Sequence, residues 1–351
     1  MRKIKISNKI ISQKNSPFLI AEAGINHNGS LKKALKMVDI AKKAGVDAIK
    51  FQTYSADELI SNLNTKYKYK SNDKIFHESM YDIFKRCELS KSSWTKIKNK
   101  CKKKEIIFLS SPSSYNDLVL LLKLNVPAIK VGSDDFNNIP LIEKIKKTKL
   151  PMILSSGMST IGEIQSTLKY AGAEKNYPII LMLCISQYPV DPSDVNISRI
   201  RSLAYKFPNV ILGFSDHTQG SLASCLALAL GARCFEKHFT INKSDHGPDH
   251  WFSEDPTSLK NWVSQIKLSF KMFGNSKLLP TSQELKMKKI ARKSIVASKN
   301  IPKGGIINEK NITFKRPGDG LAPINFKKIN GKKTKKIIKK NTQIKLNLLN
   351  K

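Results

Sequence analysis

Residues 213–239, "GFSDHTQGSLASCLALALGARCFEKHF", hold two of the chain's six histidines, His217 and His238. Each closes a short apolar run, "VILGF" at 210–214 and "CFEKHF" at 234–239, that reads as a buried strand. Between them lies an Ala/Leu-rich segment of helical length. A strand, a helix and a second strand, with polar residues at both strand ends, make one unit of a parallel α/β fold.

The alternation continues in the amino-terminal direction. Apolar runs at 18–21, 48–51, 106–109, 128–131, 152–154 and 179–185 precede the two already quoted. Amphipathic stretches at 31–44, 93–103, 117–124, 140–147 and 161–171 lie between them. Eight strands alternating with helices over about 250 residues predict a (β/α)8 TIM barrel. A doubly wound sheet is the rival, but it needs a glycine-rich phosphate turn after its first strand. "AEAGINHNG" at 21–29 is not G-x-G-x-x-G, so the barrel is preferred. Residues 3–11 read as a short polar–apolar segment, expected to form a capping hairpin.

Beyond Gly274 the character changes. Residues 281–291 read as a charged linker helix, and 292–351 as short β-type pieces punctuated by Pro and Gly, such as "SIVASKNIPKGGII" and "ITFKRPGDGLAP". The expected division is therefore a barrel domain at 1–280, a linker at 281–291 and a small β-rich domain at 292–351. A domain of roughly 60 residues is marginal by itself and is expected to pack on a partner.

Lys and Arg number 62 against 27 Asp and Glu, a formal net charge of +35. Such a balance invites nucleic acid. The lysines, however, are spread along the chain and accompany Ile and Asn, and no RGG, zinc-knuckle or aromatic RNP cluster is present. Nucleic acid is not an expected partner, and the charge is left to attract small anions. No apolar run reaches the ~18 residues of a membrane span. Residues 1–16 lack the apolar core of a secretory signal. The five cysteines include no C-x-x-C, which suits reduced thiols. A cytoplasmic protein with no membrane partner is expected.

Barrels of this type place their chemistry at the carboxyl ends of the strands. There the chain offers Glu22; Lys50 and Gln52; Ser110 and Ser111; Lys130 and Ser133; Ser155 and Ser156; Ser186 and Tyr188; Ser215, Asp216 and His217; and Glu236 and His238. One lysine among apolar strand residues can be a snorkelling side chain. Two of them, Lys50 and Lys130, would repel each other across one cavity unless an anion lay between, and phosphate or carboxylate fits, aided by the serines. A single histidine on an apolar face is commonly a satisfied core residue. A pair on adjacent strand ends, each beside a carboxylate (Asp216, Glu236), is better explained as metal ligands oriented by those acids. With no cysteine in the set, Mn or Mg is favoured, with Zn and Co as alternatives. Glu22, near a cation and two lysines, is expected to stay ionised and to serve as a general base, against the simpler role of a lysine's partner. The loop "HGPDHWFSEDP" at 246–256 offers Asp249 to a polyhydroxy substrate, while His246 and His250 read as loop residues.

Taken together, "AEAGINHNGS", "AIKFQT", "FLSSP", "AIKVGSDDFNN", "ILSSGMS", "CISQYP", "GFSDHT", "EKHFT" and "GPDH", with "RKSIVASKNIPKG" and "KRPGDGLAP" in the tail, resemble the sialic acid (nonulosonic acid) synthase family. The motifs run in order over almost the whole chain, and the tail is similar to that family's antifreeze-like (SAF) domain. The resemblance implies a transferase that condenses phosphoenolpyruvate and water with an N-acetylated hexosamine to give a nine-carbon 2-keto acid and phosphate. It implies that His217 and His238 bind Mn or Mg, and that Lys50, Lys130, Ser111, Ser133, Ser186 and Ser215 hold phosphoenolpyruvate. Glu22 is similar to the catalytic carboxylate, with Lys50, Lys130 and Tyr188 in the catalytic set. Gln52, Tyr188 and Asp249 are similar to sugar contacts. Arg316 would reach the acetamido-sugar of the other subunit, because family members are homodimers with exchanged tails.

Ser186 and Asp135 stand where the N-acetylneuraminate-forming branch tends to carry Asn and Glu. The serine is more like the legionaminic and pseudaminic acid branches, whose acceptors are diacetamido-trideoxyhexoses rather than N-acetylmannosamine. A related aldulosonate-phosphate synthase is the competing enzyme reading, and it leaves Arg316 without a use. A carbohydrate- or ice-binding protein is the non-enzymatic one, and it leaves the polar strand ends unexplained.

Overall fold

The structure, a computed structural model, describes residues 2–71 and 74–350. Eight parallel strands form one sheet: β1 (Phe18–Gly24), β2 (Ala48–Thr53), β3 (Ile107–Pro112), β4 (Ile129–Val131), β5 (Met152–Ser155), β6 (Ile179–Cys184), β7 (Ile211–Asp216) and β8 (Cys234–His238). Hydrogen-bonded neighbours run β3-β2-β1-β8-β7-β6-β5-β4, and β3 lies beside β4 across the remaining gap. The expected (β/α)8 barrel is present.

A helix follows each strand: α1 (Leu31–Ala44), α2 (Lys91–Lys103), α3 (Tyr115–Lys123), α4 (Ile139–Lys147), α5 (Ile161–Ala171), α6 (Arg199–Lys206), α7 (Leu222–Ala229) and α8 (Pro256–Phe273). Their starts are written in the sequence. Ser30, Ser90, Ser114, Asn138, Thr160 and Asp255 each accept a hydrogen bond from a first-turn amide. Their apolar faces meet the outward strand residues in one large core that includes Leu19, Ile49, Phe108, Leu154, Leu181, Phe214 and Phe235.

The opposite strand faces, Phe18, Ile20, Ala48, Leu109, Ile153, Ile180 and Ile211, fill the barrel interior. The hairpin of Ile4–Ile6 and Lys9–Ile11 closes that end, adding Ile4, Ile6 and Ile11 to the same cluster. The capping hairpin expected at 3–11 is therefore a barrel plug. The expected repeat does not include the long connection between β2 and α2, where a short helix (Ala56–Leu59), a hairpin (Lys66–Ser71 with Lys74–Ser79) and a further helix (Met80–Cys87) are inserted.

The chain separates into two compact units, Met1–Gly274 and Asn275–Lys351. The second opens with the helix Ser282–Ala291 and pairs Ser294–Ala297 with Ile312–Lys315 antiparallel. Its own core gathers Ile295, Ile301, Ile307, Ile312, Ile329, Ile338, Ile344 and Leu349. No helix among the described residues is long and apolar enough to cross a membrane.

Candidate functional site

Side chains alternate along a strand, so every second residue faces the barrel axis. Two positions beyond the apolar interior layer, that inward set becomes polar: Glu22, Lys50, Ser111, Lys130, Ser155, Ser215 and Glu236, all buried. Glu22 pairs in register with Lys50, and Ser215 with Glu236. A bulge between Glu22 and Gly24 adjusts the end of β1, and Gly24 takes φ +49°, a conformation open to glycine. A Cβ there would stand 3.4 Å from Glu22 Oε1, 3.6 Å from Asp249 Oδ2 and 3.7 Å from His238 Cε1, so these three groups converge on it.

Two lysines and two carboxylates make a closed charge set. Lys50 Nζ lies 2.9 Å from Glu22 Oε2 and 3.8 Å from Glu236 Oε2, and Lys130 Nζ lies 3.7 Å from Glu236 Oε1. Ser111 accepts from Lys50 Nζ at 3.2 Å, Ser155 accepts from Lys130 Nζ at 2.7 Å, and Ser215 donates to Glu236 Oε1 at 3.1 Å. The environments drive the two acids apart. Burial, only partly offset by Lys50, raises Glu22 to about 7. Burial also pushes on Glu236, but Lys130 and Lys50 on either side hold it below the usual carboxylate range. Burial lowers Lys130, whereas at Lys50 the same penalty is outweighed by Glu22 and Glu236, which raise it. A carboxyl poised near neutrality beside one held ionised is an acid–base pair.

His217 and His238 project into the same cavity, with ring centroids 5.2 Å apart. His217 Nδ1 bonds the Ile185 carbonyl at 2.8 Å, which leaves Nε2 as the lone-pair nitrogen. His238 Nδ1 is buried without a hydrogen-bond partner, 3.9 Å from Asp249 Oδ2. Burial lowers His217 to about 4, and burial with His217 beside it lowers His238 well below the ordinary imidazole value, both shifts favouring the neutral, ligating form. Among the described residues no group of three or more His, Cys, Asp or Glu is arranged to hold a metal. The residues fit a two-histidine site whose other positions are open to water and substrate oxygen. Tyr188 lies over both rings, 4.2 Å from His217 and 5.8 Å from His238 by centroid, and burial raises Asp249 to about 6.

An inner cavity of about 320 Å³ is lined by Glu22, Lys50, Gln52, Ser111, Lys130, Ser133, Tyr188, Ser215, Glu236 and both histidines. An outer cavity of about 490 Å³ shares Gln52, Met80, Phe84, Ser133, Asp134, Tyr188 and His238 with it and adds Ser186 and Asp249. Ile25, Met80, Ile83, Phe84, Met158 and Pro248 give the outer space an apolar wall. Ser186 Oγ is buried without a partner, and a Cβ at Gly157 would lie 2.4 Å from it and 2.6 Å from Ser133 Oγ. Asp135 also lines the inner cavity, with an oxygen that accepts from Asn138 Nδ2 at 2.9 Å.

A sequence model described as the NeuB family matches residues 37–278. The chain belongs to the NeuB family. A SAF domain match covers 292–350. The N,N'-diacetyllegionaminic acid synthase of Legionella pneumophila is 36% identical to this NeuB-family chain, over 90% of this chain and 89% of the relative. The pseudaminic acid synthase of Campylobacter jejuni is 38% identical, over 92% of this chain and 93% of the relative. A solved N-acetylneuraminic acid synthetase of Leptospira borgpetersenii, in complex with citrate, superposes with a TM-score of 0.73 at 33% identity. That alignment covers 82% of this chain and 95% of the Leptospira chain.

The NeuB-family barrel revises two sequence expectations. The gap between Lys50 and Lys130, assigned to a bound anion, already holds the chain's own Glu236. Neither acid expected to orient the histidines does so: Glu236 faces inward to the lysines, and Asp216 faces outward to Lys237, 3.2 Å away. The strand period decides this, because residues 215 and 236 point to the axis and 216 and 237 away from it. At Glu22, expected to stay ionised beside a metal cation and two lysines, burial outweighs Lys50 and the protein's own groups raise it to about 7. Of each serine pair one member faces in. Ser110 instead bonds Thr53 and the Phe51 carbonyl, and Ser156 the Met182 carbonyl. His246 meets Tyr69, and His250 meets Thr240 and Asn28, both in loops. Arg316 belongs to the second unit, where its Nε donates to the Ala291 carbonyl at 2.9 Å.

Proposed function

We propose that this chain condenses phosphoenolpyruvate, water and an N-acetylated hexosamine into a nine-carbon 2-keto acid and phosphate. One observation carries the proposal: a two-lysine, multi-serine pocket and a neutral histidine pair line the same inner cavity, with Glu22 also on its wall. Lys50 and Lys130, with Ser111, Ser133, Ser155 and Ser215 around them, are suited to a small polyanion and to the charge that builds as phosphate leaves. His217 and His238 would hold Mn or Mg, which when bound would supply Lewis-acid polarisation of the acceptor's aldehyde oxygen. The donor's methylene carbon attacks that aldehyde and leaves a cationic centre at C2. Glu22 takes a proton from the water that adds there and returns it to the alkoxide left on the former aldehyde oxygen. The tetrahedral adduct then breaks its C–O bond to expel phosphate, which takes the proton of the C2 hydroxyl as the keto group forms. Tyr188 covers the centre from the solvent side.

For the acceptor, Gln52, Asp249 and the unpartnered Ser186 Oγ line the outer cavity together with its apolar residues. That mixture favours a diacetamido-trideoxyhexose, with its extra methyl groups, over N-acetylmannosamine, and it agrees with the names of the Legionella and Campylobacter relatives. The chain is proposed to act in the cytoplasm as a homodimer, with Arg316 of one subunit meeting the sugar held by the other. Incubation with phosphoenolpyruvate and a panel of acetamido-hexoses, read by phosphate release and product mass, tests the function. Release with none of them refutes it, and equal rates for both acceptor classes refute the narrower choice.

A further inference from the structure

On the outer side of the two strands that carry the histidines, a second set of charges is buried. Asp216 and Lys237 are register partners on β7 and β8, and each immediately precedes a histidine. Lys237 is 2% exposed, with Nζ 3.2 Å from Asp216 Oδ2 and 3.8 Å from Glu254 Oε1, and it donates to the Thr218 carbonyl. Asp216 Oδ1 accepts from the Thr218 amide at 2.9 Å and the Thr218 hydroxyl at 2.7 Å, and Oδ2 accepts from Ser224 Oγ at 2.6 Å. Glu254 Oε1 accepts from the Gly220 amide at 3.1 Å, and the Glu254 amide donates to the His238 carbonyl at 2.9 Å. One ammonium therefore joins the segment leaving His217, the end of β8 and the closing loop after it.

We propose that Lys237 is a positioning residue for the histidine pair, fixing where the imidazoles of His217 and His238 stand relative to each other. The inference rests on the metal reading given above. Desolvating an ammonium is costly, and an apolar side chain of similar length would fill the same space without that cost. What an apolar side chain cannot do is hold the Thr218 carbonyl, Asp216 and Glu254 in fixed directions at once. Two imidazoles must each approach a shared ion to about 2 Å, so small shifts of either strand end separate them from it. Lys237 lies outside the cavity and touches no substrate, so its effect reaches the site through the backbones of residues 217–218 and 238.

The test is Lys237→Met in the full-length chain, with Mn²⁺ affinity read from the electron paramagnetic resonance of free Mn²⁺, independently of turnover. Mn²⁺ binding about 10-fold or more weaker is expected, as for other residues that support metal ligands. A melting temperature lowered by the broken buried pairs but still well above the assay temperature, and a lower kcat with little change in KM for phosphoenolpyruvate, are expected with it. Wild-type Mn²⁺ affinity in the folded variant overturns the inference alone. Absence of Mn²⁺ binding by the wild-type protein overturns it together with the metal reading. If Lys237→Met does not fold, Glu254→Gln decides: weaker Mn²⁺ binding at an unchanged melting temperature supports the inference, and wild-type affinity overturns it.

Discussion

Glu22 and Lys50 are register partners on adjacent strands, and their charged ends meet at 2.9 Å in a space that leaves them 1% and 3% exposed. The pair joins the acid–base group to the anion pocket. Glu22→Gln removes the proton acceptor without changing shape, and turnover is expected to fall by about 10²–10⁴-fold. Phosphoenolpyruvate should bind as well or better, because the pocket loses a negative charge. Phosphate release and calorimetric titration measure the two effects, and turnover within a few-fold of wild type would exclude Glu22 as the base.

Lys50→Met leaves Glu22 and Glu236 buried with less compensation. A loss of about 3–5 kcal/mol in unfolding free energy is expected, as for other broken buried pairs. The double variant Glu22→Gln, Lys50→Met should recover part of it, because one stranded charge is gone. Urea unfolding monitored by circular dichroism checks both.

His238→Ala is expected to abolish turnover while the far-ultraviolet spectrum stays native. Chelation of the wild-type protein should do the same, reversed by Mn or Mg. Full activity in chelated, metal-free protein would exclude the two-histidine metal site.

Acid should weaken the barrel through histidines other than His217 and His238. Burial lowers His27 to about 4 and His250 to about 4, from an ordinary value of 6.5. Both rings are neutral when folded, and the unfolded chain takes up protons first as pH falls. Their contribution is therefore complete above pH 6.5 and lost between 6.5 and 4, on the order of 3 kcal/mol per ring. Denaturant unfolding at several pH values measures the slope, and His27→Phe should flatten it.

Arg316→Ala tests the role proposed for the second unit. KM for the acceptor should rise by about 10-fold or more while KM for phosphoenolpyruvate and the oligomeric state by sedimentation stay unchanged. An unaltered acceptor KM would remove Arg316 from the site.

The barrel could be read from eight apolar runs and their spacing, because each run carries its own apolar signal and six of the eight helix starts carry a capping side chain. The inward set was also legible, although the sequence reading did not use the strand period to the full. Counting by twos from Ile20 to Glu22, from Leu109 to Ser111 and from Ile153 to Ser155 selects Ser111 over Ser110 and Ser155 over Ser156. The same count turns Asp216 and Lys237 outward and would have kept Asp216 from being assigned to orient His217. Ser155 was noted at a strand end, but nothing local announced it as the partner of Lys130. The insertion at 56–87 carries Met80, Ile83 and Phe84 to the outer cavity and lacks the barrel period, so its residues had no address in the repeat.

Local chemistry therefore settled which residues lie on strands, which side of each strand they face and that two histidines end neighbouring strands. It did not settle that Glu236 stands between Lys50 and Lys130, that burial raises Glu22 to about 7, or that an apolar wall bounds the outer cavity. Those facts depend on distances across the barrel axis and on how much water closure removes. Both are properties of chain segments far apart in sequence, brought together only when the sheet curls on itself.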